Sequence, residues 1–259
     1  ILSCSASGRV DPDRASPRSE CAGAQSVKPG WLELHPCGPR SRRRQPLRSG
    51  PPIALPLLMS RHRARVLASH ELAEHLLQGG AAVIPTDTVP GLAIAPSHAG
   101  GIWRLKRRPA DKPLILLGAT AEVLLRHAQP SCRDDARWMA ERHWPGALTL
   151  VVPAHGAVLE ALNPGGTCLG LRIPNCRQCR ELLHRTGPLA TSSANPSGDP
   201  AAMTPEQAAV YFPNLPQLGP QPWLPPSGQA STVISWTSSG RWNVLRQGAV
   251  MPQRITEGG

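Results

Sequence analysis

AAVIPTDTVPGLAIAP, residues 81–96, places two short apolar runs on either side of one polar turn. AAVIP (81–85) and LAIAP (92–96) read as buried strands, because short apolar runs bounded by turn residues suit strands covered on both faces. PTDTVPG (85–91) joins them and carries two hydroxyls, Thr86 and Thr88, among tight-turn residues. Upstream, Val66, Leu67, Leu72, Ala73, Leu76 and Leu77 recur at helical spacing, and Gly79-Gly80 stop that helix.

The same alternation continues downstream. Residues 98–106 read as a helix ending at Lys106, PLILL (113–117) as a strand, and 119–128 and 133–143 as helices. ALTLVVP (147–153) and CLGLRIP (168–174) are strands, 175–186 is a helix, and PLATS (188–192) is a strand. Thr204 followed by Pro205 starts a short helix, as an N-cap before a first-turn proline. The six prolines of 213–228 predict a loop, and STVISW (231–236) with RWNVLR (241–246) a terminal hairpin about TSSG. Apolar strands alternating with helices predict an α/β (mixed α+β) single domain with one large mixed sheet and flanking helices.

Residues 1–60 do not share this texture. They hold nine prolines and the run Arg40, Arg42, Arg43, Arg44, without a sustained apolar period. Such a segment buries too little to offset its ordering entropy. The chain starts at Ile1 and its first methionine is Met59. Residues 1–60 therefore read as a tail, or as sequence upstream of the native start, and 61–255 as the folded domain.

The net charge is +11, of which +5 belongs to residues 1–60 and +6 to residues 61–259. A positive balance suits nucleotide phosphates or an RNA backbone equally well. The seven cysteines form no disulfide framework; only Cys176 and Cys179 make a CxxC, and no second pair completes a zinc set. Reduced thiols and a cytoplasmic location are expected. No run approaches the ~20 apolar residues that cross a bilayer. IALPLLM (53–59) is short and broken by Pro56.

Three segments carry polar chemistry. KRRPADKPLILL (106–117) packs Lys106, Arg107, Arg108 and Lys112 into seven positions around Pro109. Read as extended chain, Lys106 and Arg108 point to one side, while Pro109 and Pro113 restrict the residues before them. Arginine suits forked contacts to phosphate, and lysine acts as a point charge. PLATSSANPSG (188–198) follows a strand and offers Ser192, Ser193 and Asn195 to anionic oxygens, with Gly198 allowing close backbone approach. Arg172 lies within an apolar strand, where an unpaired charge is costly; a substrate carboxylate or an internal Asp or Glu would pair it. Arg246 in VLRQG poses the same question. No GxxxxGK[ST], GxGxxG or GxSxG is present, which argues against a Walker loop, a dinucleotide fold and a nucleophile elbow.

Taken in order, PTDTVPGLA, KRRPADKPLILL, HWPGALTLVV, LGLRIPN, PLATSSANPSG, STVIS and VLRQGAV resemble the YrdC-like family of threonylcarbamoyl-AMP synthases. The motifs span about residues 81–250. The resemblance implies a YrdC-like domain with a twisted sheet and a basic concave face. It implies condensation of L-threonine, bicarbonate or CO2, and ATP, with Mg²⁺ on the triphosphate. The product would pass to a threonylcarbamoyl transferase complex that modifies the adenosine beside the anticodon of tRNA.

By the resemblance, Lys106 and Arg108 are catalytic. Lys106, Arg108, Lys112, Ser193, Asn195 and Arg246 hold ATP, and Thr88, Arg172, Thr191 and Ser231 hold threonine. Thr86 is an alternative to Thr88. The chain departs from the family pattern at Pro90, where an aromatic residue is usual, at Ala147, where proline is usual, and in the proline-rich loop before STV. Two other readings follow from the same residues. One is an RNA-binding module using the basic concave surface without catalysis. The other is a carbamoyl-transfer domain of hydrogenase maturation, whose neighbouring zinc-finger-like and acylphosphatase segments are not visible in the sequence.

Overall fold

A computed structural model describes residues 64–109 and 112–252. The expected tail, IALPLLM and Met59 lie outside the described residues. The described chain runs β1 (Val66–Leu67), α1 (Ser69–Leu77), β2 (Ala82–Ile84), β3 (Gly91–Ile94), a 3-10 turn (Pro96–His98), α2 (Gly100–Lys106), β4 (Ile115–Leu117), α3 (Ala121–Leu125) and α4 (Pro130–His143). It continues through β5 (Leu148–Pro153), α5 (Ala157–Leu162), β6 (Cys168–Arg172), α6 (Arg177–Thr186), β7 (Leu189–Ser193), α7 (Pro205–Tyr211), β8 (Gln217–Leu218), β9 (Thr232–Ser238) and β10 (Arg241–Arg246).

All ten strands join one mixed sheet in the order β1-β8-β2-β3-β7-β4-β6-β5-β9-β10. β2 pairs antiparallel with β3 through the PTDTVPG turn, and β3 with β7. β4 runs parallel to β6 and β5 parallel to β9, so crossovers bring distant segments side by side.

Side-chain alternation gives the sheet two buried faces. Ala82, Ile84 and Ala93 pack with Leu72 and Leu76 of α1 and Leu182 and Leu183 of α6. Val83, Leu92 and Ile94 face the other way, into a larger cluster with Ile102, Leu124, Met139, Leu162 and Trp242. This is why the strand sequences are apolar at nearly every position: β2, β3 and β6 are buried throughout. Among the described residues no helix is long and apolar enough to cross a membrane.

Three elements differ from the sequence expectation. Val66 and Leu67, expected to begin the helix, form edge strand β1, and α1 starts at Ser69. Leu67 meets the core from the strand, which serves the same burial as a helical position. Helix α5 was not anticipated; its six residues are too short to display a period. The proline-rich stretch contains β8, a two-residue strand lying parallel to both β1 and β2. Gln217 anchors it, with its side chain fully buried and Nε2 donating to the Pro205 carbonyl at 2.8 Å.

Candidate active site

The β2–β3 turn is organised by Thr86. Its Oγ1 accepts the backbone N–H of Thr88 at 3.1 Å and of Val89 at 3.3 Å, and donates to the Val89 carbonyl at 2.7 Å. A hydroxyl has one proton, so the 3.0 Å contact between the two threonines must be donated by Thr88. Thr88 Oγ1 in turn accepts from Arg172 Nη1 at 2.8 Å. Thr86 is thus consumed by the turn, while Thr88 faces Arg172 with acceptor capacity left.

Arg172 ends β6 and is almost wholly buried. Its Nε donates to the Gly146 carbonyl at 2.9 Å and its Nη2 to Asp87 Oδ1 at 2.7 Å. The partner that the charge in this apolar strand requires is therefore internal, and it comes from the turn between Thr86 and Thr88. Burial lowers the Arg172 pKa, and Asp87 is the strongest influence opposing that shift.

Lys106 departs from the extended reading of the basic segment. Helix α2 continues through Lys106, and Arg107 takes a left-handed conformation at φ 49°, so the Lys-Arg-Arg segment is not extended. The Lys106 side chain runs inward and is 1% exposed. Its Nζ donates to the carbonyls of Ser193 and Asn195, each at 2.5 Å, and to Asn195 Oδ1 at 3.2 Å. Ser193 Oγ lies 3.5 Å away. Three carbonyl-type oxygens thus take the three protons of an ammonium. Burial, reinforced by Arg108, lowers the Lys106 pKa to about 7. Both N–H groups of Asn195 are engaged, since its Nδ2 donates to the carbonyls of Pro196 at 2.9 Å and Asp199 at 2.6 Å, while Oδ1 keeps one lone pair beside the Lys106 contact. Arg108 folds back on its own loop, with Nη2 donating to the Pro113 carbonyl at 3.2 Å. Lys112 is half-buried, and its carbonyl accepts from Trp103 Nε1 at 3.0 Å.

The terminal hairpin supplies the third cluster. Arg246 Nη2 donates to the Ser231 carbonyl at 2.8 Å and to Ser231 Oγ at 3.3 Å. Ser231 Oγ lies 2.8 Å from Thr149 Oγ1 on β5. The chain after Arg246 curls back, with Gly248 N–H donating to Thr232 Oγ1 at 2.9 Å and Ala249 N–H to the Ala230 carbonyl at 2.9 Å. A β-carbon on Gly248 would lie 2.2 Å from the Ala230 carbonyl oxygen, so only glycine permits this approach.

Electrostatics joins the clusters. Burial lowers the Arg246 pKa to about 10, with Arg172 and Arg108 as the next causes. Arg108 thus links the Lys106 end of α2 to Arg246 at the end of β10, and Arg246 is linked in turn to Arg172 at the end of β6. Hydroxyls of Thr88, Ser193 and Ser231 are interspersed among them, and Asp87 is the carboxylate paired with Arg172. Thr191 lies two residues before Ser193 on β7, but its hydroxyl donates to the Ile115 carbonyl at 3.1 Å within the sheet. Such a cluster of buried and half-buried cations suits an anionic ligand.

Sequence reasoning missed Asp87, Gly146 and Thr149. The demand of Arg172 for a partner was a signal for Asp87, the acid nearest Thr88; nothing marked Gly146 or Thr149. Cys176 caps α6 and Cys179 lies beneath it, both as free thiols whose pKa values burial raises. Among the described residues no three His, Cys, Asp or Glu side chains cluster as metal ligands. Two open concavities, of about 400 and 620 Å³, lie by Val66, Ser69 and Pro220 and by His98, Gly101 and Arg104. Neither includes a member of the cation cluster.

Comparison with known proteins gives a consistent picture. The Sua5/YciO/YrdC family model, described as telomere recombination, matches residues 74–248. A threonylcarbamoyl-AMP synthase of Idiomarina loihiensis is 33% identical over 150 residues, covering 55% of this chain and 79% of its own length. The threonylcarbamoyl-AMP synthase of Mus musculus is 32% identical over 186 residues, covering 68% of this chain and 65% of its own. The crystal structure of P. abyssi Sua5 complexed with L-threonine superposes with a TM-score of 0.64 at 29% identity, over 71% of this chain and 57% of that one.

Proposed function

This chain belongs to the Sua5/YciO/YrdC family, and from that premise we propose that it is an L-threonylcarbamoyl-adenylate synthase. It joins L-threonine, bicarbonate or CO2, and ATP into threonylcarbamoyl-AMP, releasing pyrophosphate. The observation that carries the reading is the convergence of Lys106, Arg108, Arg172 and Arg246, buried or looped back, beside hydroxyls of Thr88, Ser193 and Ser231.

The chemistry needs alignment and charge stabilisation more than a nucleophilic side chain. The threonine nitrogen bonds to the carbon of CO2 and loses a proton, giving a carbamate. A carbamate oxygen then bonds to the α-phosphorus of ATP as the bond to the departing pyrophosphate breaks. Lys106 and Arg108 offset the charge that develops there. Lys112, Ser193, Asn195 and Arg246 complete the nucleotide site, with Lys106 also bracing the loop that presents Ser193 and Asn195. Mg²⁺ bound to the triphosphate would screen its charge.

Arg172 receives the threonine carboxylate, with Ser231 and Thr191 in the pocket wall. Thr88 rather than Thr86 meets threonine, because the Thr86 hydroxyl is committed to the turn. Since the Thr88 proton is given to Thr86, Thr88 accepts a hydrogen bond from the substrate. The domain spans 61–255, the reaction is cytoplasmic, and the product is consumed by a tRNA-modifying transferase complex. The RNA-binding reading is not favoured: Lys106 and Arg172 are buried and Arg108 and Arg246 half-buried, whereas an RNA backbone is met by exposed cations.

The test is pyrophosphate release by the full chain with ATP and Mg²⁺, with and without L-threonine and bicarbonate. Release that requires both supports the synthase. Folded protein that releases none, or releases it without threonine, refutes it.

A further inference from the structure

We infer that Asp87 is a positioning residue for this reaction, its carboxylate fixing the Arg172 guanidinium in the orientation that receives the carboxylate of threonine. The inference rests on the assignment of Arg172 to that carboxylate. A guanidinium has five N–H groups. The Gly146 carbonyl, Thr88 Oγ1 and Asp87 Oδ1 take one each from Nε, Nη1 and Nη2. One N–H on each terminal nitrogen is left, the number that a forked carboxylate contact uses.

Asp87 does more than balance a charge. Its Oδ1 also accepts the backbone N–H of Asn175 at 2.9 Å, and its carbonyl accepts the N–H of Ser227 at 3.0 Å. The turn after β2, the loop after β6 and the loop leading to Ser231 are thereby tied at one residue. The adjacent Thr88 carbonyl accepts Gly228 N–H at 3.0 Å, so the approach is held at two successive peptides. Without Asp87, Arg172 keeps its Nε and Nη1 contacts but loses the bond that stops the fork from rotating out of its plane. It also loses the carboxylate paired with it: burial lowers the Arg172 pKa, and Asp87 is the strongest influence opposing that shift.

The experiment is a steady-state comparison, with full-length protein, of wild type, Asp87→Ala, Asp87→Asn, Arg172→Ala and the double variant Asp87→Ala/Arg172→Ala. Loss of a charge-assisted bond of this kind should raise the threonine KM about tenfold in Asp87→Ala and leave the ATP KM within about twofold. Asp87→Asn keeps an oxygen for the same two N–H groups and should restore part of the loss. The double variant should be no worse than Arg172→Ala alone, because both changes act through one guanidinium. A threonine KM unchanged in Asp87→Ala, equal rises for threonine and ATP, or additive effects in the double variant each overturn the inference. If Asp87→Ala does not fold, Asp87→Asn decides: a rise confined to threonine supports the role, and no rise overturns it. An Arg172→Ala variant with normal threonine KM removes the underlying assignment and the inference with it. A large Arg172→Ala effect beside a silent Asp87 removes the inference alone.

Discussion

The Lys106 ammonium lies 2.5 Å from the carbonyl oxygen of Asn195 and 3.2 Å from its side-chain oxygen, although 89 positions separate the two residues. The end of α2 is thereby stapled beneath the loop that follows β7. Lys106→Ala would leave two backbone carbonyls and an amide oxygen without their donor, at a cost of about 1–3 kcal/mol for each buried acceptor left unsatisfied. We expect a lowered melting temperature together with near-complete loss of pyrophosphate release. Lys106→Met keeps the aliphatic stem and should recover part of the packing but none of the turnover. A thermal melt beside the release assay checks both, and wild-type turnover in either variant would reduce Lys106 to a structural brace.

The Lys106 pKa of about 7 gives nucleotide binding a pH dependence. A polyphosphate beside the amine favours its protonated form, so the pKa rises on binding. Affinity is then complete below about pH 7 and falls as pH rises through that value towards the pKa of the complex. At pH 8 binding should take up protons. Calorimetric titration with ATP in two buffers of different ionisation enthalpy measures the uptake. It should vanish in Lys106→Met; no uptake by wild type would show that another group governs the charge.

Arg172→Ala should raise the threonine KM at least tenfold while changing the ATP KM little, as expected for loss of a hydrogen-bonded buried charge. Arg172→Lys should not rescue it, because an ammonium cannot reproduce the separate contacts of Nε, Nη1 and Nη2. Equal damage to threonine and ATP use would place Arg172 between the two ligands rather than at the amino acid.

Gly248→Ala tests how Arg246 is held. The added methyl would meet the Ala230 carbonyl oxygen at 2.2 Å and the Thr232 nitrogen at 2.5 Å, both backbone atoms that cannot step aside. The turn after β10 must then lift away and draw Arg246 from Ser231. A raised ATP KM with a modest loss of stability is expected; an unaltered KM would show that Arg246 holds its place without the turn.

Much of the fold was legible because burial on both faces leaves long apolar strands that no surface element imitates, as in ALTLVVP and CLGLRIP. Helix α5 and strand β8 were not, since six and two residues carry no measurable period. The candidate residues Thr88, Arg172, Ser193, Asn195, Ser231 and Arg246 were visible as polar punctuation in apolar surroundings. The direction of Lys106 was not visible. It turns on the left-handed backbone of Arg107, a conformation that a run of basic residues does not announce. Asp87 escaped for a different reason: an acid in a turn is the commonest of polar residues there, and only the register between β2, β3 and the distant β6 reveals what it faces.

The placement of β9 and β10 at one end of the sheet sets a timetable for synthesis. Domains emerge from the ribosome in sequence order. A nascent chain released only as far as Gly240 could already pair β2, β3, β4, β6 and β7, and could form the Lys106–Asn195 and Asp87–Arg172 contacts. It would still lack Arg246 and the turn at Gly248 that braces Ser231. On the roles proposed for Arg246 and Ser231, truncation or fraying at this edge should silence the protein while most of its sheet is intact.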